Sequence, residues 1–260
     1  MNKHVWPLVL FTTMAQLSAG VYLFIKLNLF LPSLGLEIYD QKMLTVLLLI
    51  IALAALLISF SHLGSPRNAV YALHNIKSSW LSREIFFMSG FTAILFIEAL
   101  FFNKLSNSSL LSWIISFAGI TSSVLLIFSM IKLYRLETVP SWNATYTHLN
   151  FSNTALLSGI FLLILFNAFK PGLNQNTMLV AGMVLLLFQL AILIALSPTK
   201  GNFKTLTLIL YGIILVLIKL STVKIILLNG LTGIFIFLIL CSAILIERFL
   251  FYKGYKNVGV

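Results

Sequence analysis

Long apolar blocks run through this chain, separated by short polar links, and nowhere do apolar and polar residues alternate with period two. A helix needs about 20 apolar residues to cross the hydrocarbon, and no backbone polar group exposed to lipid can stay unpaired. The blocks therefore predict spanning helices over about 6–30, 43–61, 82–102, 109–133, 154–169, 178–196, 205–220 and 226–251. Without alternation a β-barrel is excluded. The expected fold is all-α, one polytopic transmembrane domain over 1–260, with about eight helices and both termini on one face. Helices 2 and 6 are each followed by a Ser-Pro pair, Ser65-Pro66 and Ser197-Pro198. This hints at two related four-helix bundles, though no strong internal repeat accompanies it.

The longest polar interruption runs from His62 to Glu84. Ser65 followed by Pro66 is a helix start signal. After it Val70, Leu73 and Ile76 share one side, while Arg67, Tyr71, His74 and Ser78 recur on another, which predicts a short helix lying on the membrane surface. Ser82 then reads as the N-cap of helix 3, which puts Arg83 and Glu84 in its first turn.

Composition agrees with the pattern: 60% of residues are hydrophobic and 9% charged, with a mean hydropathy of +1.06. The net charge of +11 belongs to a membrane protein and not to a nucleic-acid binder. Eleven Lys and Arg residues fall on the face that carries the termini and six on the other, so a count of basic residues makes that face cytoplasmic. The single Cys241 leaves no disulfide and no cysteine-held metal cluster within the protein. The N-terminus lacks a long cationic lead and a cleavage site, so it is expected to be the start of helix 1 and not a removable signal. All four histidines, His4, His62, His74 and His148, lie at helix ends or in links, whereas a haem held between helices needs histidines within the spans. No haem is expected.

His62 closes helix 2 and Glu84 opens helix 3. The helix dipole favours an imidazolium at the first place and a carboxylate at the second. Such a pair suits removal of two protons from a quinol head group at interfacial depth. The plain alternative is an interfacial histidine and a capping carboxylate. Trp142 and Tyr146 are placed to stack on a quinone ring or to anchor at the interface. Arg67 is a partner for Glu84 or part of a docking surface. Intramembrane Glu98, with Gln16, would form the midplane site of a secondary transporter, but paired Gly/Pro helix breaks are not evident. The plain reading of Glu98 is a pairing with a lysine on the far face, and that of Gln16 an interhelical hydrogen bond.

Four segments in order, HLGSP at 62–66, SREI at 82–85, ETVPSW at 137–142 and RFLFY at 248–252, resemble the membrane-anchor subunit of bacterial dimethyl sulfoxide reductases over nearly the whole length. The resemblance implies an eight-helix anchor in the inner membrane that oxidises menaquinol in anaerobic respiration. It passes electrons to an iron–sulfur subunit, which feeds a molybdopterin catalytic subunit, so the anchor itself carries no redox cofactor and no metal. It also implies His62 and Glu84 as quinol-site residues. With these, Arg67 and Trp142 are expected at the quinol, and Arg67, His74, Lys77, Arg83 and Arg135 at the partner. The sequence departs from its relatives in the last helix, where Ile244 stands in place of a carboxylate and Glu247 lies beside Arg248. The resemblance makes the terminal face periplasmic, against the basic-residue count.

Overall fold

A computed structural model describes residues 5–31, 35–62, 75–107, 109–135, 139, 142–170, 172–197 and 201–254, with backbone alone at 60–62, 106, 107 and 109. Among these residues are eight helices: α1 (Val5–Phe30), α2 (Gln41–His62), α3 (Trp80–Asn107), α4 (Ser109–Leu133), α5 (Thr145–Ala168), α6 (Asn176–Ala195), α7 (Asn202–Thr222) and α8 (Gly230–Lys253). Each is long and apolar enough to cross a membrane.

The helix ends differ from those expected wherever a polar group caps the backbone. Asp40 accepts the Met43 amide at 3.0 Å, so α2 starts before its apolar block. Ser79, and not Ser82, caps α3: its hydroxyl accepts the Ser82 amide at 3.3 Å, and the helix begins at Trp80. Glu84 therefore stands beyond the first turn. At α8, Asn229 accepts the Thr232 amide at 3.0 Å while the Thr232 hydroxyl accepts the Asn229 amide at 2.8 Å. This reciprocal box sets the start at Gly230. The largest difference is at α5, which begins at Thr145, about two turns ahead of its apolar run. Those polar turns are helical because Thr147, Asn150, Asn153 and Thr154 face inward and are satisfied there.

The first four helices pack in a ring, α1 on α2, α2 on α3, α3 on α4 and α4 on α1, and the last four do the same. The two four-helix bundles join through α1 on α5, α1 on α8 and α4 on α5. Accordingly α5 and α1 are the most enclosed helices and α7 among the least. The surface helix expected over the 62–84 link lies mostly outside the described residues; what is described is a single turn at Asn75–Ser78, closed by the Ser78 amide on the Asn75 carbonyl at 3.1 Å.

Candidate functional site

At the face carrying the termini, the bundle junction holds a group of buried polar residues. Glu84 on α3 is 2% exposed, and its Oε1 has no hydrogen-bond partner among the described residues. It is not a capping carboxylate, since α3 is capped by Ser79 and Glu84 turns inward. Arg248 on α8 is 1% exposed. Its Nη2 donates to Gln16 Oε1 on α1 at 2.8 Å, and the guanidinium lies 3.7 Å from the centre of the Phe151 ring on α5. Arg248 Nη1 and Gln16 Nε2 are both buried without a partner among the described residues.

Tyr134, just past α4, and Tyr252 on α8 pack with ring centres 5.2 Å apart, and both phenols are within electrostatic reach of Glu84 and Arg248. Burial, helped by Tyr252 and the Glu84 charge, drives the Tyr134 phenol well above its ordinary value, so it stays a proton donor. The Tyr252 hydroxyl reaches Thr12 on α1 at 3.3 Å. Trp142 packs on the group, its ring centre 5.8 Å from that of Tyr134 and 6.0 Å from that of Tyr252. Its indole N–H donates to the Phe251 carbonyl at 2.9 Å and its ring stacks on Phe251 at 5.4 Å.

Of the residues expected from the sequence, Glu84 and Trp142 border this group. His62 is the last residue of α2, at the same face, but its side chain lies outside the described residues, as do Arg67 and His74 entirely. Lys77 is exposed. Arg83 is folded back on its own link: Nε donates to Ile76 O at 2.8 Å and Nη2 to Lys77 O at 2.7 Å, with the guanidinium 4.0 Å over Trp80. Arg135 is exposed and donates to Asn143 Oδ1 at 3.1 Å.

Gln16 and Glu98, the pair a transporter site would need, belong to different groups. Glu98 accepts from the Tyr22 hydroxyl at 2.9 Å and pairs with Lys26 at 2.9 Å, toward the opposite face. This is the lysine pairing expected of it. Gln16 is occupied by Arg248, nearer the terminal face.

A third buried carboxylate, Glu247, was not legible as a centre. Glu247 accepts from the Tyr146 hydroxyl at 2.7 Å, the Tyr211 hydroxyl at 2.9 Å and Gln189 Nε2 at 3.0 Å. Gln189 is in turn shared with Asn150 and Asn153. The signal was present in the polar residues at 147–154 and in Gln189 within an otherwise apolar helix, but period alone does not show that they meet. Among the described residues no three His, Cys, Asp or Glu side chains converge as a metal site requires.

The profile of the DMSO reductase anchor subunit (DmsC) family matches residues 1–200. The C subunit of the anaerobic dimethyl sulfoxide reductase of Escherichia coli K12 is 30% identical over 163 residues, 61% of this protein and 56% of that one. The YnfH subunit, from the same organism, is 30% identical over 161 residues, and the C subunit from Haemophilus influenzae 30% over 165, with like coverage. The matched segment thus spans little more than half the length of these relatives. No solved structure matches. The family match takes in α1 to α6 and with them Gln16, His62, Glu84, Tyr134 and Trp142, while Arg248 and Glu247 lie beyond it. With eight helices among the described residues long and apolar enough to cross a membrane, this is a polytopic inner-membrane protein, and it belongs to the DMSO reductase anchor subunit family.

Proposed function

We propose that the protein binds menaquinol at the junction beneath His62 and Glu84, oxidises it, and passes the electrons to a docked partner. The observation that carries the reading is Glu84, a buried carboxylate with an unused oxygen, near the end of α3 that shares a face with the His62 end of α2. A buried polar group left without a partner is costly, and a ligand that bonds to it removes that cost.

In this reading the quinol loses two electrons and two protons and leaves as quinone. His62 takes one hydroxyl proton, Glu84 accepts or relays the other, and both protons pass to water at the terminal face. The anchor holds no redox group of its own in this scheme. The electrons go to an iron–sulfur cluster of a partner subunit, which supplies a molybdopterin subunit that performs the terminal reduction. Arg67, His74, Lys77, Arg83 and Arg135 are the proposed docking charges, with Arg83 acting by holding the link in shape. Trp142 forms a wall of the site through its ring, its N–H being committed to Phe251. Because docking also explains basic residues on this face, the terminal face is read as periplasmic.

The test is quinol-supported reduction by the assembled complex. His62→Ala and Glu84→Gln should each abolish it, while subunit co-purification and activity with an artificial dye donor persist. Normal quinol turnover in both variants sinks the proposal.

A further inference from the structure

Arg248 is an intramembrane cation with no carboxylate partner among the described residues, where the one ion pair is Lys26 with Glu98. Glu247, its neighbour in sequence, does not neutralise it by contact, because both Glu247 oxygens are taken by Tyr146, Tyr211 and Gln189. Of the two terminal guanidinium nitrogens of Arg248, one is used and the other has no partner among the described residues. The same is true of the Gln16 amide, whose oxygen accepts and whose nitrogen is left over. Glu84 presents the complementary defect, an unused acceptor. Three helices thus bring two unused donors and one unused acceptor to one junction, within electrostatic reach of the same two tyrosines, Tyr134 and Tyr252.

We infer that Arg248 and Gln16 form the second pole of the quinol site, donating to the ring oxygen opposite the one that Glu84 serves. This rests on the quinol-oxidising reading above. The arrangement selects a ligand that donates at one end and accepts at the other. A hydroquinone does so: one hydroxyl donates to Glu84, and the opposite oxygen accepts from Arg248 and Gln16. A lipid phosphate only accepts and has no proton to offer the unused oxygen of Glu84. Beside the pair an apolar groove of about 160 Å³ runs between α1 and α8, lined by Leu10, Met14, Leu17, Phe237, Cys241 and Leu245. Arg248 follows Leu245 by one turn and shares a helix face with Phe237, Cys241 and Ile244 of the groove. The groove takes the start of the apolar tail.

The experiment compares Gln16→Leu, Arg248→Lys and Leu17→Trp in the assembled complex, with tail-less menadiol and with a long-tailed menaquinol as donors. Gln16→Leu should raise the menadiol KM about tenfold, the equivalent of one lost hydrogen bond to a buried site. Arg248→Lys keeps the charge but loses the fork, and should lower kcat. Leu17→Trp should impair the long-tailed donor more than menadiol. Dye-driven activity should stay at the wild-type level in all three. If Arg248→Lys does not assemble, Gln16→Leu and Leu17→Trp carry the test. Unchanged menadiol kinetics in assembled Gln16→Leu, with Glu84→Gln inactive, overturns this inference and leaves the quinol reading standing. Failure of the wild-type complex to oxidise menadiol overturns the reading beneath it. Recovery of Gln16→Leu on adding anionic phospholipid would give the pole to a lipid head group and also overturn the inference.

Discussion

Gly20 on α1 and Gly159 on α5 meet backbone to backbone where the two bundles join: a Cβ on Gly159 would stand 2.5 Å from the Gly20 carbonyl carbon. Small residues drive helix association in lipid because they let the helices approach closely. The same contact sets how far apart Gln16 and Phe151, on those two helices, hold the Arg248 side chain. Gly159→Ala should separate α1 from α5 and destabilise the fold by about 1–3 kcal/mol, read as a lower midpoint of thermal denaturation in detergent. Quinol turnover should fall with it. A variant as stable as the wild type would show that the contact is not tight.

Lys26 and Glu98 tie α1 to α3 at the opposite face from the proposed site. Lys26→Met strands the Glu98 carboxylate in apolar surroundings and should cost about 3 kcal/mol. Glu98→Gln keeps an acceptor for Tyr22 and leaves the more exposed lysine free to reach the surface, so it should cost about 1 kcal/mol. Assembled Glu98→Gln complexes should oxidise quinol at the wild-type rate. Loss of that activity without loss of stability would place Glu98 in the proton path.

The Glu247 cage joins α5, α6, α7 and α8 through one carboxylate. Tyr211→Phe removes one donor to a charged acceptor, worth about 1.5–3 kcal/mol, and should lower thermal stability by that order. Glu247→Leu is the more severe change, since it strands Tyr146, Tyr211 and Gln189 together. Unaltered stability of Tyr211→Phe would mean that the cage is loose.

Arg83 spends its guanidinium on the Ile76 and Lys77 carbonyls, whereas Lys77 and Arg135 are exposed. In the docking proposal Lys77→Glu and Arg135→Glu should weaken association with the iron–sulfur subunit, and rising salt should weaken it in the wild type. Arg83→Lys should act through the shape of the link, with little change in the salt response. Co-purification across a salt series separates the three. Salt-independent association would remove the electrostatic account of docking.

The protein's own residues were enough for eight helices, their approximate places and the face that carries His62 and Glu84, because apolar length and polar links are local properties. Its motifs also carried the family. Cap positions were readable only in part: the sequence points to Ser82, Ser79 is the cap, and the shift between them moves Glu84 from a helix end to the interior. The first turns of α5 look like a link because Thr147, Asn150 and Asn153 are polar, and only their burial against Gln189 and Glu247 makes them helix.

Crossing a bilayer depends on each segment alone, so the set of spans could be read straight from local composition. The partnership of polar side chains could not, and it came from the packing of the two bundles. Arg248 reaches Gln16 across 232 positions, Tyr211 reaches Glu247 across 36, and Tyr22 reaches Glu98 across 76. No periodicity records such pairings. They follow from which helix faces are pressed together, and in a medium without water a polar group satisfied by a neighbour is stable where an isolated one is not.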